Sequence, residues 1–168
     1  LIKNFDPKLI KTELNLLKKV GAKIKLFKNS INIKGPERIK SIKNITTKEY
    51  PGFPTDLAPQ FMVLLCEASG TSSITENIFQ GRFLHAMELQ RLGAKITIKN
   101  RTAKIEGNTN FIAAEVMSSD LRASAALVLA GIVSKGNTVV TRVYHCDRGY
   151  ENFENKLKKI GVKIKRLK

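Results

Sequence analysis

One short pattern occurs three times in the chain and restricts its fold more than any other feature. Each copy contains a leucine, two basic or polar residues, an apolar residue, glycine, a small apolar residue, lysine and isoleucine. The copies span residues 17–24, 89–96 and 157–164. The residues before the glycine indicate the end of an amphipathic helix, with the glycine in the left-handed conformation just beyond it. The lysine and isoleucine then predict the beginning of an alternating strand.

The segments that follow the first two copies also match each other. Each predicted strand enters a hairpin, and a second helix and a closing strand come after it. The matching parts are the hairpin turns at residues 29–30 and 100–101, the helix starts at 55–57 and 119–121, and the closing strands at 73–75 and 138–140. The predicted fold class is therefore α/β, built of repeated helix–hairpin–helix–strand units.

The repeat also sets the expected limits of the domain. The third unit begins at Asp147 and stops after a strand predicted at residues 162–164. The first unit begins with a strand predicted at residues 1–4, and one helix of the pattern is expected upstream of it. No flexible linker divides the chain, so residues 1–168 are expected to form a single repeat-built domain that is incomplete at its N-terminal edge.

Several helix starts carry side chains that suit an anion site, because the first turn of a helix has free N–H groups and the positive end of the dipole. Thr55 is predicted to cap the helix that begins with Asp56, and in the next unit Ser119 is likewise predicted to cap the helix that begins with Asp120. Asp147 is predicted to cap the last helix, with Arg148 in its first turn. A cation there opposes the dipole, which indicates a nearby carboxylate or an anionic ligand.

The net charge of +16 leaves two interpretations open. Scattered lysines indicate a solvated surface, or a field that attracts small anionic substrates. The alternative is a non-catalytic basic α/β module that binds nucleic acid. Aromatic residues are only 7% of the chain, which weakens base stacking and therefore the second interpretation.

Other classes of protein are disfavoured by the composition. No apolar run approaches the ~20 residues that cross a bilayer, so no membrane partner is expected. Cys66 and Cys146 are too few for a disulfide framework, which favours a reducing compartment and a cytoplasmic location. His85 and His145 lack the spacing of metal ligands, and no metal site is expected.

Four further motifs follow one another along most of the chain. They are YPGFPTDL at residues 50–57, ENIFQGRFLH at 76–85, DLRASA at 120–125 and YHCDRGYE at 144–151. In this order they resemble the enolpyruvyl transferase family. Within the family the chain is more similar to the branch that acts on UDP-N-acetylglucosamine than to the sister branch that acts on shikimate 3-phosphate, which stays as an alternative. Ala58 and the pair Gln80-Gly81 depart from the family pattern beside these motifs.

The resemblance implies a fold and an activity. Family members have two similar domains, each an inside-out α/β barrel of three repeats, with the active site between them. This chain would supply most of the C-terminal domain, and the N-terminal domain with its catalytic loop would be absent. The implied reaction transfers the enolpyruvyl group of phosphoenolpyruvate to the 3-hydroxyl of UDP-N-acetylglucosamine and releases phosphate, the first committed step of peptidoglycan synthesis.

The resemblance also implies partners for the chain. They are the substrates UDP-N-acetylglucosamine and phosphoenolpyruvate and the missing N-terminal half of the enzyme, with no cofactor and no specific nucleic acid. The chain alone would be inactive, since the proton donor and half of the phosphoenolpyruvate site lie outside it. A folded but catalytically dead remnant is a further alternative.

Finally, the resemblance assigns roles to individual residues. Asp56 would bind the sugar 3-hydroxyl and act as general base, and Asp120 is the second candidate for the base. Ile78 would contact the nucleotide sugar through its backbone, and Arg148 would contact phosphoenolpyruvate. The remaining substrate-binding residues are cations that suit phosphate and carboxylate groups: Arg82 and Arg122.

Overall fold

The computed structural model describes residues 1–167, which combine helices and strands. The helices are α1 (Lys11–Lys19), α2 (Ala58–Cys66), α3 (His85–Arg91), α4 (Leu121–Val133), α5 (Tyr144–Asp147) and α6 (Phe153–Lys159). The strands are β1 (Ile2–Lys3), β2 (Lys23–Phe27), β3 (Ser30–Lys34), β4 (Ile45–Thr46), β5 (Thr71–Thr75), β6 (Lys95–Lys99), β7 (Thr102–Glu106), β8 (Glu115–Met117) and β9 (Val139–Thr141). The fold is α/β, as the sequence predicts.

The strands form three separate sheets. The first has the order β1-β3-β2 and is antiparallel throughout. The second has the order β4-β5-β7-β6, in which β4 and β5 are parallel and the other pairs antiparallel. The third consists of the parallel pair β8 and β9. A parallel pair needs a crossover connection, and α2 and α4 supply it in the second and third sheets.

The three glycine patterns adopt the same helix ending. Gly21, Gly93 and Gly161 follow α1, α3 and α6 with φ of 107°, 97° and 95°. After α1, Gly21 N donates to Lys18 O at 3.0 Å and the next N–H donates to Leu17 O at 3.0 Å. The same pair of bonds closes α3 and α6, so each helix ends in a Schellman motif that satisfies its last carbonyls.

The core is built around α2 and α4, which pack against each other. In α2 the residues Ala58, Pro59, Phe61, Met62, Val63, Leu65 and Cys66 are buried, and a helix that is apolar on nearly all sides belongs in an interior. Phe53 packs edge to face against Phe61, with ring centroids 4.8 Å apart. The two helices also bring their N-terminal ends, and the side chains found there, toward one region of the molecule.

Some elements differ from the prediction. The predicted units lacked β4 and β8, the short strands that precede α2 and α4 and pair with the closing strands β5 and β9. The strand expected at residues 162–164 is wrong: within residues 1–167 no neighbour forms ladder hydrogen bonds with this segment, and without them an extended segment is not a strand.

Among residues 1–167 no helix combines the length and the apolar character that a crossing of the bilayer requires.

Candidate active site

Asp56 lies at the centre of a cluster of charged side chains. It belongs to the short 3-10 turn Thr55–Leu57 that leads into α2. Arg122 Nε donates a hydrogen bond to Asp56 Oδ1 from the first turn of α4. Arg82 Nη1 lies 3.7 Å from the same oxygen and comes from the segment before α3. Three residues that the sequence singled out therefore meet, although they come from three different parts of the chain.

The cluster is open to solvent on the side of the carboxylate. The Asp56 side chain is 60% exposed, whereas the side chains of Arg82 and Arg122 are 25% and 26% exposed. Ion pairs exposed to this degree add little to stability. The hydrogen bond that Arg122 donates to Asp56 is the main cause that raises the pKa of Arg122 above its usual value. The pairing thus keeps the charged guanidinium of Arg122 beside the Asp56 carboxylate, in a place where a ligand can reach both groups.

Asp120 has a different position from the one predicted. It is the N-cap of α4 itself, and its Oδ1 accepts hydrogen bonds from Arg122 N at 2.8 Å and Ala123 N at 3.1 Å. Burial acts to raise the pKa of Asp120, but these backbone bonds, a bond from Ser119 and the charge of Arg122 outweigh it and lower the pKa. The carboxylate of Asp120 is therefore occupied in holding the start of α4.

The prediction that Thr55 caps α2 is wrong. The Thr55 side chain makes no capping bond, and its Oγ1 instead donates to Glu76 Oε2 at 2.6 Å. A buried carboxylate requires hydrogen-bond donors, and Thr55 supplies one of them. The residue therefore ties the turn that carries Asp56 to the end of β5.

Arg148 also has a different setting from the predicted one. Asp147 is the last residue of α5 rather than the cap of α6, and Arg148 follows it as the C-cap of α5. The helix α6 begins only at Phe153, and Asp147 Oδ2 instead accepts a bond from Arg166 Nη2 at 2.6 Å. A cation after a helix C-terminus agrees with the helix dipole, so the charge argument for a ligand at Arg148 does not hold.

Arg148 is separate from the Asp56 cluster but lies on a neighbouring segment. Its side chain is exposed and forms no ion pair with another residue of the described range. The same segment contacts α2, where Gln60 Nε2 donates to Tyr150 Oη at 3.1 Å. It also contacts α4, where a Cβ at Gly149 would come within 2.9 Å of Leu121 Cδ1.

Ile78 lies on the segment that joins β5 to α3, and its backbone N donates to Glu76 Oε1 at 2.7 Å. Beside this segment is an open cavity of about 460 Å³. Residues of the segment and of the β6–β7 hairpin line it, among them Phe79, Arg82, Ile98 and Arg101. The Arg82 guanidinium lies 4.2 Å from the centre of the Phe79 ring, in a cation–π contact. Since Arg82 also pairs with Asp56, it joins this cavity to the charged cluster.

Glu76 is a residue of this site to which the sequence analysis gave no role. Its side chain is buried, with a relative exposure of 2%. Burial acts to raise the pKa of Glu76, but hydrogen bonds from Thr55 and Thr47 and from two backbone N–H groups outweigh it and lower the pKa. Two features of the sequence could have indicated a role for Glu76. It directly follows the strand predicted at residues 73–75, and it is the first residue of the motif at residues 76–85.

His85, Cys66 and Cys146 do not suggest chemistry of their own. Burial lowers the pKa of His85 to about 4, which keeps it neutral at physiological pH. Burial raises the pKa of Cys66 to about 12, and burial is likewise the first cause that raises the pKa of Cys146, so neither thiol favours the nucleophilic thiolate. Within residues 1–167 no group of three or more His, Cys, Asp or Glu residues is placed to hold a metal ion.

Comparison with known sequences identifies relatives of the chain. Residues 1–157 match the family described as EPSP synthase (3-phosphoshikimate 1-carboxyvinyltransferase). A UDP-N-acetylglucosamine 1-carboxyvinyltransferase of Pelagibacter ubique is 58% identical over 166 residues, which are 99% of this chain and 40% of that protein. A protein of the same name from Desulfosudis oleivorans is 50% identical over 166 residues, with the same coverage of 99% and 40%. The chain spans about 40% of the length of these curated relatives.

Solved structures share the fold at lower identity. The enolpyruvyl transferase NikO from Streptomyces tendae has a TM-score of 0.85 and 24% identity, and the match covers 93% of this chain and 36% of that chain. An EPSP synthase from Acinetobacter baumannii has a TM-score of 0.76 and 19% identity, covering 96% of this chain and 40% of that chain. At these identities the likeness concerns the fold.

Proposed function

The chain belongs to the EPSP synthase family of enolpyruvyl transferases, and on that premise we propose that it is the C-terminal part of a UDP-N-acetylglucosamine 1-carboxyvinyltransferase. Such an enzyme would transfer the enolpyruvyl group of phosphoenolpyruvate to the 3-hydroxyl of UDP-N-acetylglucosamine. Relatives at 46–58% identity carry the name of this enzyme. The sugar oxygen would form the new bond to the enolpyruvyl carbon, and the bond from that carbon to phosphate would break.

The observation that carries the proposal is the contact of Asp56 with Arg82 and Arg122. An exposed carboxylate can accept the proton of a hydroxyl that becomes a nucleophile. Two guanidinium groups within reach of the same oxygen suit the phosphate and carboxylate groups of phosphoenolpyruvate, because arginine binds such groups through a planar fork. The cluster therefore provides a base and an anion site next to each other.

The remaining site residues take narrower roles in this proposal. Arg148 is exposed and free of ion pairs within the described residues, and it would contact phosphoenolpyruvate. The N–H of Ile78 is occupied by Glu76, so its carbonyl group would be the part that contacts the nucleotide sugar. Asp120 is occupied as the cap of α4, which makes Asp56 the better candidate for the base.

We extend the proposal to the architecture. The chain would be most of one domain, an inside-out α/β barrel in which α2 and α4 are inner helices and the three sheets are outer. The N-terminal half of the enzyme, with the proton donor, would close over the Asp56 cluster and exclude water. The location would be cytoplasmic, and the reaction would use no cofactor.

The sister activity on shikimate 3-phosphate is less well supported. The EPSP synthase from Acinetobacter baumannii is 19% identical to this chain, far below the 58% of the Pelagibacter ubique relative, which is named for its action on the nucleotide sugar. The nucleic-acid module has the positive charge in its favour, but aromatic residues, which would stack on bases, are only 7% of the chain.

A chimera tests the proposed function. This chain would replace the matching segment of the Pelagibacter ubique relative, and phosphate release would be measured with phosphoenolpyruvate and either acceptor. We expect release with UDP-N-acetylglucosamine, little with shikimate 3-phosphate, and none from residues 1–168 alone. A chimera that folds, by circular dichroism and thermal unfolding, but releases phosphate only with shikimate 3-phosphate would reverse the assignment.

A further inference from the structure

We propose that Glu76 is a positioning residue, which holds the turn of Asp56 and the segment of residues 77–82 in a fixed relation to each other. The inference rests on the proposed function, since it concerns how the groups of that site are placed. In this proposal Glu76 does not contact a substrate.

The contacts of Glu76 reach both parts of the site. Its Oε2 accepts from Thr55 Oγ1 at 2.6 Å, and Thr55 is the residue directly before Asp56. Its Oε1 accepts from Ile78 N at 2.7 Å and from Phe79 N at 3.1 Å, which fixes the backbone of the segment that carries Arg82. One carboxylate therefore joins the two elements from which Asp56 and Arg82 project.

A further bond ties this assembly to the sheet. Thr47 Oγ1 donates to Glu76 Oε1 at 2.7 Å and accepts from Asn77 N at 2.8 Å. Thr47 directly follows β4, so the network is anchored to the backbone of the second sheet. Bonds to a charged acceptor are stronger than neutral ones, and a buried carboxylate with four donors is held in one orientation.

The third sheet has a position equivalent to that of Glu76, and the residue there is not a carboxylate. After β4, Thr47 N donates to Thr75 O at 2.9 Å, and after β8, Ser118 N donates to Thr141 O at 3.2 Å. These bonds make Thr75 and Thr141 equivalent positions in the two parallel pairs. The residue after each of them is therefore equivalent as well.

The residues that follow Thr75 and Thr141 are a glutamate and an arginine. Glu76 is buried, whereas its equivalent Arg142 is exposed and lies at φ 55°. On the third sheet Ser118 bonds to the Ser124 hydroxyl of α4 instead. The parallel pair and its crossover helix thus form without a buried carboxylate. The fold does not require Glu76 at this place, which favours a role in the site that only the second unit carries.

The test uses the active chimera, so that failure of the proposed function shows first as an inactive unsubstituted protein. The variants are Glu76→Gln, which keeps the shape, and Thr55→Val, which removes one bond and spares the rest. Ser73→Ala is the matched control, because its hydroxyl on the same strand bonds to Lys43 O and Asn44 Oδ1 away from the network. Each is also combined with Asp56→Asn.

We expect Glu76→Gln to lower kcat/KM for the nucleotide sugar by roughly 10–100-fold, the effect of losing a hydrogen bond to a charged group. Thr55→Val should lower it by roughly tenfold, and Ser73→Ala should leave it unchanged. In the Asp56→Asn background Glu76→Gln should have little further effect on kcat, because the residue acts through Asp56. The KM for phosphoenolpyruvate should rise as well, by roughly twofold to tenfold, because the segment that Glu76 fixes carries Arg82, which the proposed function places at that substrate.

A purely structural role gives a different result. It would reduce the amount of folded enzyme and lower kcat equally with and without Asp56→Asn, while both KM values stay constant. That outcome, or an equal effect of Ser73→Ala, would overturn the proposal. Thr55→Val keeps the test decisive if Glu76→Gln does not fold.

Discussion

Arg122 and Asp56 are 66 positions apart in the chain, yet the Arg122 guanidinium donates a hydrogen bond directly to the Asp56 carboxylate. Each residue lies at the beginning of the crossover helix of its own unit, one before α2 and one in α4. The contact is possible because these two helices pack against each other in the core. The packing of the repeat units thus creates the charged cluster, and neither unit contains it alone.

We predict that Asp56→Asn lowers turnover by ~10²–10⁴-fold in the active chimera, because the substitution keeps the shape and removes the general base. The free energy of unfolding should change by less than about 1 kcal/mol, since the ion pairs of Asp56 are solvent-exposed. Steady-state kinetics and urea denaturation measure the two quantities. Near-full turnover would move the role of base to Asp120.

Arg148→Ala should weaken the binding of phosphoenolpyruvate more than that of the nucleotide sugar. The substitution removes a charge-assisted contact to one substrate only. Kinetics in which each substrate is varied in turn separate the two KM values. Arg38→Ala, at another exposed arginine that lies outside the four motifs, is the control and should change neither. Equal effects on both substrates would remove Arg148 from the phosphoenolpyruvate site.

The stability of the domain should fall as the pH falls from about 6.5 to about 4. Burial lowers the pKa of His85 to about 4, so between these values the unfolded chain binds a proton that the folded chain does not. The loss from this residue should be on the order of 3 kcal/mol between pH 7 and pH 4. Urea denaturation at the two pH values measures it. His85→Gln should flatten the dependence, and a variant with an unchanged slope would contradict the assignment.

Gly107→Ala should destabilise the domain by about 3 kcal/mol, because its methyl group would overlap the backbone carbonyl of Ala68, which cannot move aside easily. Gly35→Ala is the matched control. A methyl group at Gly35 meets no atom within 4 Å, and the free energy of unfolding should change by less than about 0.5 kcal/mol. Thermal and urea unfolding distinguish the two variants.

Binding to nucleic acid should be weak and non-specific despite the charge of +16. Scattered lysines attract a polyanion only through screened fields, so affinity for a DNA duplex should fall by at least roughly tenfold between 50 and 200 mM salt. Fluorescence anisotropy with two unrelated duplexes measures this. Tight, sequence-selective binding at physiological salt would favour the nucleic-acid module.

The sequence predicted those features that depend on neighbouring residues. The endings at Gly21, Gly93 and Gly161 are local, because a glycine after an amphipathic segment provides the left-handed residue that a Schellman motif needs. The two-residue β4 is different. It is too short to show any periodicity, and only its pairing with β5 makes it a strand.

The site was predicted to the extent that its motifs resemble a family. Asp56, Arg82 and Arg122 were expected there, and the structure brings them together. The setting of Asp147 was not predictable, because its partner Arg166 is 19 residues away and the pairing depends on tertiary structure. The role of Glu76 was hidden for the same reason, since its bonding partners come from separate segments.

The apolar character of α2 has a consequence while the chain is being synthesised. Almost every residue of α2 is buried in the folded protein, and α4, which covers it, begins about 60 residues later. At about 5–20 residues per second, the ribosome needs roughly 3–12 seconds to synthesise the chain from α2 to the beginning of α4. During this interval the apolar residues of α2 are exposed on the nascent chain. They favour association with other apolar surfaces before the hydrophobic core has formed. Slowing translation between residues 66 and 121 should therefore increase capture of the nascent chain by ribosome-associated chaperones.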